Sequence, residues 1–158
     1  MKQTKGTIVI ASDHAGFEMK KELVNFLKNH DYEVIDHGPL SLDAHDDYPD
    51  FVKFVARDVS RNSESLKGIV LGGSGTGEAI VCNRFPSVRT VSYYGGNTEI
   101  ITLSRTHNNA NVLSLGARFM SVEEACSIVS HWLTTPFSEE DRHVRRIEKI
   151  DSLHDFLT

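Results

Sequence analysis

Residues 68–80 read GIVLGGSGTGEAI, in which an apolar run passes into a glycine-rich segment. Residues 68–71 are a short apolar run rich in branched side chains, which predicts a buried strand. Four glycines occupy the next six positions, and a helix is predicted from residue 77 to residue 85. A strand, a glycine-rich loop and a helix in this order predict an α/β unit whose loop lies at the carboxyl end of its strand.

The same alternation runs through the whole chain. Strands are predicted at residues 7–12, 33–36, 68–71, 88–92 and 111–115, and helices at residues 17–29, 49–61, 77–85, 98–106 and 122–133. This pattern predicts an α/β fold with a Rossmann-like, five-stranded parallel sheet and helices on both faces, a three-layer αβα sandwich. Residues 138–157 follow Pro136 and predict a tail helix that packs on the domain or on a partner subunit. Because the chain shows no repeat or linker, we expect residues 1–158 to form a single domain.

Composition excludes several classes of partner. The net charge of −5 gives no basic surplus for a nucleic-acid backbone, so we expect no nucleic acid. No stretch has the length and apolarity of a membrane span, and the N-terminus lacks a signal-peptide pattern, so we expect no membrane partner and a cytoplasmic location. Cys82 and Cys126 lie in predicted helices and are expected to be free thiols. The histidines form no spaced metal motif, and residues 43–47 are predicted to be a solvated loop without a site, so we expect no metal.

The glycine-rich loop is the strongest candidate for a chemical site. It is neither a Walker A loop nor a dinucleotide fingerprint, but its backbone N–H groups can converge on an anion. A tight turn is the alternative, although one glycine would suffice for a turn. Glu78 follows the loop, either as a favourable partner of the helix dipole or as a base. An enediolate needs a base and donors for its oxygen, and this segment supplies both.

Asp13 and His14 stand side by side after the first predicted strand, where Asp13 is either a helix cap or a site residue. His107 and Asn108 end the fourth predicted helix. A histidine there either stabilises the helix end or donates a proton near neutral pH.

Arginines follow later in the chain. Arg118 comes directly after the last predicted strand, and Arg142 and Arg146 have the i, i+4 spacing that places two guanidinium groups on one helix face. Such a pair suits bidentate contacts with phosphate, and a solvated helix face is the alternative.

Taken together, five motifs resemble the ribose-5-phosphate isomerase B family, which includes galactose-6-phosphate isomerase subunits. The resemblance covers almost the whole chain, with the motifs in the family's order. They are SDHAGF (residues 12–17), DYP (47–49), GGSGTGE (72–78), RTHNN (105–109) and RHVRRI (142–147).

The resemblance implies interconversion of ribose 5-phosphate and ribulose 5-phosphate through an enediolate, without a metal or organic cofactor. It implies strand order 2-1-3-5-4 and a homodimer, or a tetramer built from dimers, with sites shared between subunits. Isomerisation of a six-carbon sugar phosphate such as allose or galactose 6-phosphate is one alternative. A sugar-phosphate-binding module without turnover is another.

Residue roles follow from the resemblance. Many family members have a cysteine base where this chain has Gly72, whereas a second branch uses the glutamate at Glu78. His107 is the expected ring-opening acid and, with Asn108, is expected to reach the other subunit's site. Tyr48 matches a position near the substrate. Catalytic roles fall on Glu78, His107, Asp13 and Ser74, and substrate contacts on Asp13, His14, Gly73, Ser74, Gly75, Thr76, Gly77, Asn108, Arg118, Arg142 and Arg146.

Overall fold

Strands and helices alternate through residues 4–157, which are the residues that this computed structural model describes. The elements are β1 (Thr7–Ser12), α1 (Phe17–Asn29), β2 (Glu33–Asp36), α2 (Pro49–Arg61), β3 (Leu66–Gly72), α3 (Thr76–Cys82), β4 (Thr90–Tyr93), α4 (Glu99–Thr106), β5 (Val112–Gly116), α5 (Val122–Thr134), α6 (Asp141–Asp151) and α7 (Leu153–Phe156).

The five strands form one sheet in the order β2-β1-β3-β5-β4, and every pair is parallel. Both the predicted architecture and the strand order implied by the resemblance are confirmed. β3 is the central strand, where Gly72 pairs with Gly116 at the carboxyl end and Gly68 pairs with Val112 near the amino end. The glycine loop therefore begins in the middle of the carboxyl edge, where ligands of open α/β sheets bind.

Alternate residues of β3 pack into two separate hydrophobic cores, one on each face of the sheet. On one face, Ile69 and Leu71 pack in a cluster with Trp132 of α5. On the other face, Val70 packs in a cluster with Val55 of α2. All of these side chains are buried, so the apolar run of β3 is continuous because both faces of the sheet are covered.

The segment between α3 and β4 differs from its prediction. The helix ends at Cys82 instead of residue 85, and β4 begins at Thr90 instead of residue 88. Asn83 closes this segment, since its side-chain oxygen accepts the Thr90 N–H at 2.9 Å. Pro86 disfavours helical backbone at the residue before it, and Ser87 then turns the chain with φ of 60°. These tertiary and backbone constraints override the helical spacing.

The tail is not the single helix predicted over residues 138–157, and its first helix begins at Asp141. It divides at Ser152 into α6 and α7, and His143 is the buried residue of α6. Val144, Ile150 and Leu153 remain 36%, 44% and 57% exposed. The apolar side of the tail is therefore largely uncovered in a single chain. Among residues 4–157, no helix combines the length and apolarity that a membrane crossing requires.

Candidate active site

Glu78 lies in the first turn of α3 and is only 3% exposed. Its carboxylate turns back toward the end of β3. A Cβ built on Gly72 would overlap Oε1 and Cδ of Glu78. The carboxylate therefore fills the space that any side chain at residue 72 would need.

The environment of Glu78 suits a proton acceptor. Burial raises the pKa of the Glu78 carboxyl, the negative charge of Asp13 raises it further, and a backbone hydrogen bond opposes both. A carboxyl with a raised pKa is a stronger base once ionised. Cys82 lies one helical turn further on and is fully buried, and burial together with Glu78 raises the pKa of this thiol to about 12. Cys82 is therefore a neutral thiol near pH 7 and a poor nucleophile.

The glycine loop is held against β5. Gly75 has φ of 77°, and a Cβ there would lie 2.9 Å from Ser114 Oγ. The Ser114 hydroxyl donates to the Gly75 carbonyl at 2.6 Å, which fixes the loop. The Ser74 hydroxyl accepts from the Thr76 N–H at 3.2 Å. Within residues 4–157, the N–H groups of Ser74 and Gly75 have no hydrogen-bond partner, so they remain available to an anion.

Two further side chains border this loop. Tyr48 lies against Gly77, where an added Cβ would come within 2.7 Å of the phenol oxygen. The exposed guanidinium of Arg118 lies beside Gly73, whose added Cβ would be 3.3 Å from Nη1. The Arg118 N–H also donates to the Gly73 carbonyl at 3.1 Å. A phenol and a guanidinium therefore flank the loop that precedes Glu78.

Asp13 and His14 lie at the same edge, after β1. Asp13 Oδ1 accepts the N–H groups of Ala15 at 2.9 Å and Gly16 at 3.1 Å, so it stabilises the turn into α1. Asp13 is not the helix cap itself, because the N-cap of α1 is Gly16. The residue is buried, at 7% exposure, and its charge also reaches Glu78 and His14.

The structure pairs His14 with Asp46, which the sequence analysis missed. Asp46 Oδ1 lies 2.7 Å from His14 Nδ1 and accepts the His14 N–H at 3.0 Å. The prediction of a solvated loop is therefore wrong for Asp46, whose side chain is 5% exposed. The available signal was the strand order, since adjacent β1 and β2 place the loops that follow them side by side. Asp13, His14 and Asp46 each have an atom able to bind a metal ion, and these atoms lie within 4.8 Å of one another. The hydrogen bonds between His14 and Asp46 account for part of this proximity.

His107 and Asn108 lie at the other edge of the sheet. α4 follows β4 and runs back to the amino ends of the strands, and His107 is its C-cap. β5 then begins at Val112, opposite Gly68, whereas the glycine loop starts from Gly72. The four residue steps between Gly68 and Gly72 span about 13 Å.

Arg142 and Arg146 of the tail lie at the same edge of the sheet as His107. The His107 ring contacts the His143 ring of α6, with centroids 4.2 Å apart and the ring planes tilted by 35°. Arg142 and Arg146 lie exposed on the same helix, and Arg142 Nε bonds Glu140 at 2.9 Å. The sequence-predicted residues thus form two groups in each chain: Asp13, His14, Glu78, the glycine loop and Arg118 at the carboxyl edge, and His107, Asn108, Arg142 and Arg146 at the amino edge.

Comparison with known proteins gives a consistent result. The sequence profile of the family described as Ribose/Galactose Isomerase matches residues 8–150. The chain is 43% identical to ribose-5-phosphate isomerase B of Mycolicibacterium paratuberculosis over 141 residues, which cover 89% of this chain and 87% of that protein. It is 42% identical to a probable ribose-5-phosphate isomerase B of Mycoplasma genitalium, with 90% and 92% covered.

Solved structures agree with the sequence relatives. Ribose-5-phosphate isomerase B of Mycoplasma genitalium with bound ribulose-5-phosphate superposes with a TM-score of 0.91 at 38% identity, covering 97% of this chain and 99% of that one. The Clostridium thermocellum ribose-5-phosphate isomerase B superposes with a TM-score of 0.88 at 38% identity, covering 96% and 99%. Fold, site motifs and relatives agree, and the chain belongs to the Ribose/Galactose Isomerase family.

Proposed function

We propose that this protein is an aldose–ketose isomerase that interconverts D-ribose 5-phosphate and D-ribulose 5-phosphate through an enediolate. The observation that carries the proposal is the buried Glu78 carboxylate, which lies beside a glycine loop with unpaired N–H donors. The relatives named above support the pentose substrate, and one of them holds ribulose-5-phosphate in its structure.

The mechanism assigns one task to each group. Glu78 removes the proton from C2 of the opened sugar and returns it to C1, while the N–H groups of the loop stabilise the enediolate oxygen. Asp13 relays the hydroxyl proton, and the Ser74 hydroxyl contacts the substrate. His107 protonates the ring oxygen to open the sugar. Arg118, Arg142 and Arg146 supply positive charge for the phosphate.

Exchange of the substrate C2 hydrogen with solvent tests the role of Glu78. The variant Glu78→Gln keeps the shape of the side chain but removes the basic oxygen, so exchange and turnover should fall by about 10²- to 10⁴-fold. Binding of ribose 5-phosphate should remain measurable. Exchange at the wild-type rate would refute the assignment. A higher kcat/KM for allose 6-phosphate than for ribose 5-phosphate would instead indicate a hexose phosphate enzyme.

We further propose that the active site is composite and is completed by a second copy of the chain. Glu78 and His107 lie at opposite edges of one sheet, so a single chain cannot bring both to one sugar. In a homodimer, the carboxyl-edge group of one chain can face the amino-edge group of its partner. Each isologous pair then forms two equivalent sites.

An apolar surface next to the amino-edge group supports the dimer. A groove of about 480 Å³ lies between β4, α4 and α6 and reaches Asn108. Ile100, Leu103 and Ile150 line it and are 53%, 37% and 44% exposed. We propose that the same apolar side of a second copy covers this groove, because the groove adjoins the half-site that must meet the partner.

Complementation between two inactive variants tests the shared site. Glu78→Gln and His107→Asn chains are unfolded together, refolded and assayed. If each site takes Glu78 from one chain and His107 from the other, statistical mixing restores about a quarter of wild-type activity, because half of the sites in a mixed dimer are intact. If the site lay within one chain, every site would carry one lesion and activity would stay at the level of the separate variants.

We also propose that the protein works in the reducing cytoplasm. Both of its cysteines are free thiols, with Cys82 buried and Cys126 partly buried. Labelling of unpaired thiols in protein extracted under acid quench would check this. Two blocked or paired cysteines would contradict it.

A further inference from the structure

Asp46 differs from the rest of its loop. Asp43, His45 and Asp47 are exposed, whereas the Asp46 side chain is 5% exposed. Its Oδ1 atom takes both hydrogen bonds from His14, one from the backbone N–H at 3.0 Å and one involving ring Nδ1 at 2.7 Å. Its Oδ2 atom is buried and has no hydrogen-bond partner among residues 4–157.

This pairing fixes the imidazole in two ways. The backbone bond ties Asp46 to the start of the turn that carries His14, and the ring bond sets the plane and rotation of the imidazole. A carboxylate oxygen can only accept, so Nδ1 carries the proton and Nε2 is the nitrogen left for another partner. A histidine oriented by a carboxylate at one nitrogen is a recurring device for presenting the other nitrogen to a ligand.

We propose that Asp46 is a positioning residue that orients His14 so that Nε2 faces the sugar phosphate bound at the glycine loop. The inference rests on the proposed function, because it assigns His14 a ligand at that site. His14 is the residue that touches the substrate, and Asp46 acts through it. A buried carboxylate oxygen without a donor is unfavourable for stability, which suggests that Asp46 serves a task besides folding.

The charges around His14 act in the direction that this role needs. The hydrogen bond that His14 donates to Asp46 is the main cause that raises the pKa of His14, and the charges of Asp13 and Asp46 act in the same direction. Burial and the positive charge of Arg118 oppose them. A protonated His14 donates from Nε2 and adds a positive charge beside Arg118, both of which favour a phosphate oxygen.

The first experiment measures His14 directly. Asp46→Asn keeps an oxygen of similar shape but removes the charge, and the pKa of His14 follows from an NMR titration of its ring. The His14 pKa should fall in this variant. Asp43→Asn is the matched control, because Asp43 lies in the same loop, is exposed, and its side-chain Oδ1 accepts the His45 N–H and makes no contact with His14. The carbonyl of Asp43, which accepts the Asp46 N–H at 3.2 Å, is kept in this variant. In the control the His14 pKa should not move.

The second experiment measures ligand binding. The Kd of inorganic phosphate and the KM of ribose 5-phosphate should each rise by about tenfold in Asp46→Asn, the size of effect expected for one charge-assisted contact. The kcat should stay within about threefold, since Glu78 is untouched. The affinity for phosphate should also decline at a lower pH than in the wild type, as His14 loses its proton earlier.

The outcomes separate this inference from the proposed function. An unchanged His14 pKa with unchanged phosphate affinity in Asp46→Asn would overturn the positioning role. A lower melting temperature without either change would indicate a purely structural residue and would also overturn it. If the wild-type protein neither exchanged the C2 hydrogen of ribose 5-phosphate nor converted it to ribulose 5-phosphate, while Asp46→Asn still lowered the His14 pKa and the phosphate affinity, the proposed isomerisation would fail and the positioning of His14 would stand.

Discussion

If Glu78 is the base, as proposed, a single methyl group at Gly72 should disable the enzyme by displacing the Glu78 carboxylate. In Gly72→Ala the new Cβ would overlap Oε1 and Cδ of Glu78. Real Cβ atoms do not come this close to a neighbouring atom, so the carboxylate has to move. To reach an ordinary contact of about 3.4 Å, the near carboxylate oxygen must move by more than an ångström. Misplacing a catalytic group by about 1 Å costs on the order of 100-fold in rate. We therefore expect kcat to fall about 100-fold, which corresponds to about 2.7 kcal/mol of activation free energy.

The loss should appear in chemistry and not in folding. The group that must move is the far end of a flexible side chain, so the melting temperature should change little. The loop donors and Arg118 keep their places, so KM for ribose 5-phosphate should change less than kcat. The assay is steady-state turnover together with exchange of the C2 hydrogen, which reports proton removal alone.

A double-mutant cycle isolates the cause. In a Glu78→Gln background there is no basic carboxylate to displace, so Gly72→Ala should cause little further loss of kcat, and the two changes should be far from additive. A Gly72→Ala enzyme with kcat within about threefold of the wild type would refute the steric argument, because it would show that the carboxylate is not confined to this space. Additive losses would mean that residue 72 acts independently of Glu78.

The remaining predictions concern charge and thiol chemistry. Burial raises the pKa of Glu78 in the folded state, so ionisation destabilises the fold as pH rises above the ordinary carboxyl range. Glu78→Gln should therefore raise the melting temperature at about pH 8 and leave it unchanged at about pH 3, where the carboxyl is protonated in both states; no gain at the higher pH would contradict this. Replacing both Arg142 and Arg146 with Ala should raise KM for ribose 5-phosphate by about 10- to 100-fold, at 1.4 kcal/mol per decade, and an unchanged KM would exclude them from phosphate binding. Because the Cys82 pKa is about 12, iodoacetamide at neutral pH should not inactivate through this residue, and Cys82→Ala should keep its kcat within about threefold; inactivation that Cys82→Ala abolishes would contradict this.

Elements encoded by local pattern could be predicted from the sequence. The bounds of α1 and α2 agree with residues 17–29 and 49–61, because their apolar spacing is regular and Pro49 marks the start of α2. The glycine loop and Glu78 are also local, since strand, loop and helix follow one another directly. The end of α3 could not be predicted in this way, because the Asn83–Thr90 hydrogen bond joins residues across a loop.

Contacts between loops could not be predicted from the pattern of polar and apolar residues along the chain. Asp46 stands in a run of polar residues that, by composition, predicts a solvated loop. Its burial depends on the pairing of β1 with β2, which places the segment after β2 against His14. The exposure of the apolar side of the tail could not be predicted for a related reason. The spacing of Val144, Ile147 and Ile150 predicts an amphipathic helix but does not indicate what covers it.

The space between Gly72 and Glu78 explains why the family, as the resemblance presents it, has two kinds of base. The Cβ of a cysteine at residue 72 would overlap the Glu78 carboxylate, so one protein cannot hold both groups in these positions. The two bases reach this volume from different elements, one from the end of β3 and the other from the first turn of α3. Either base would therefore meet the sugar at nearly the same point above the loop, with the same N–H donors nearby. A glycine at residue 72 is thus the condition that lets the Glu78 carboxylate occupy this volume, where we propose that it acts as the base.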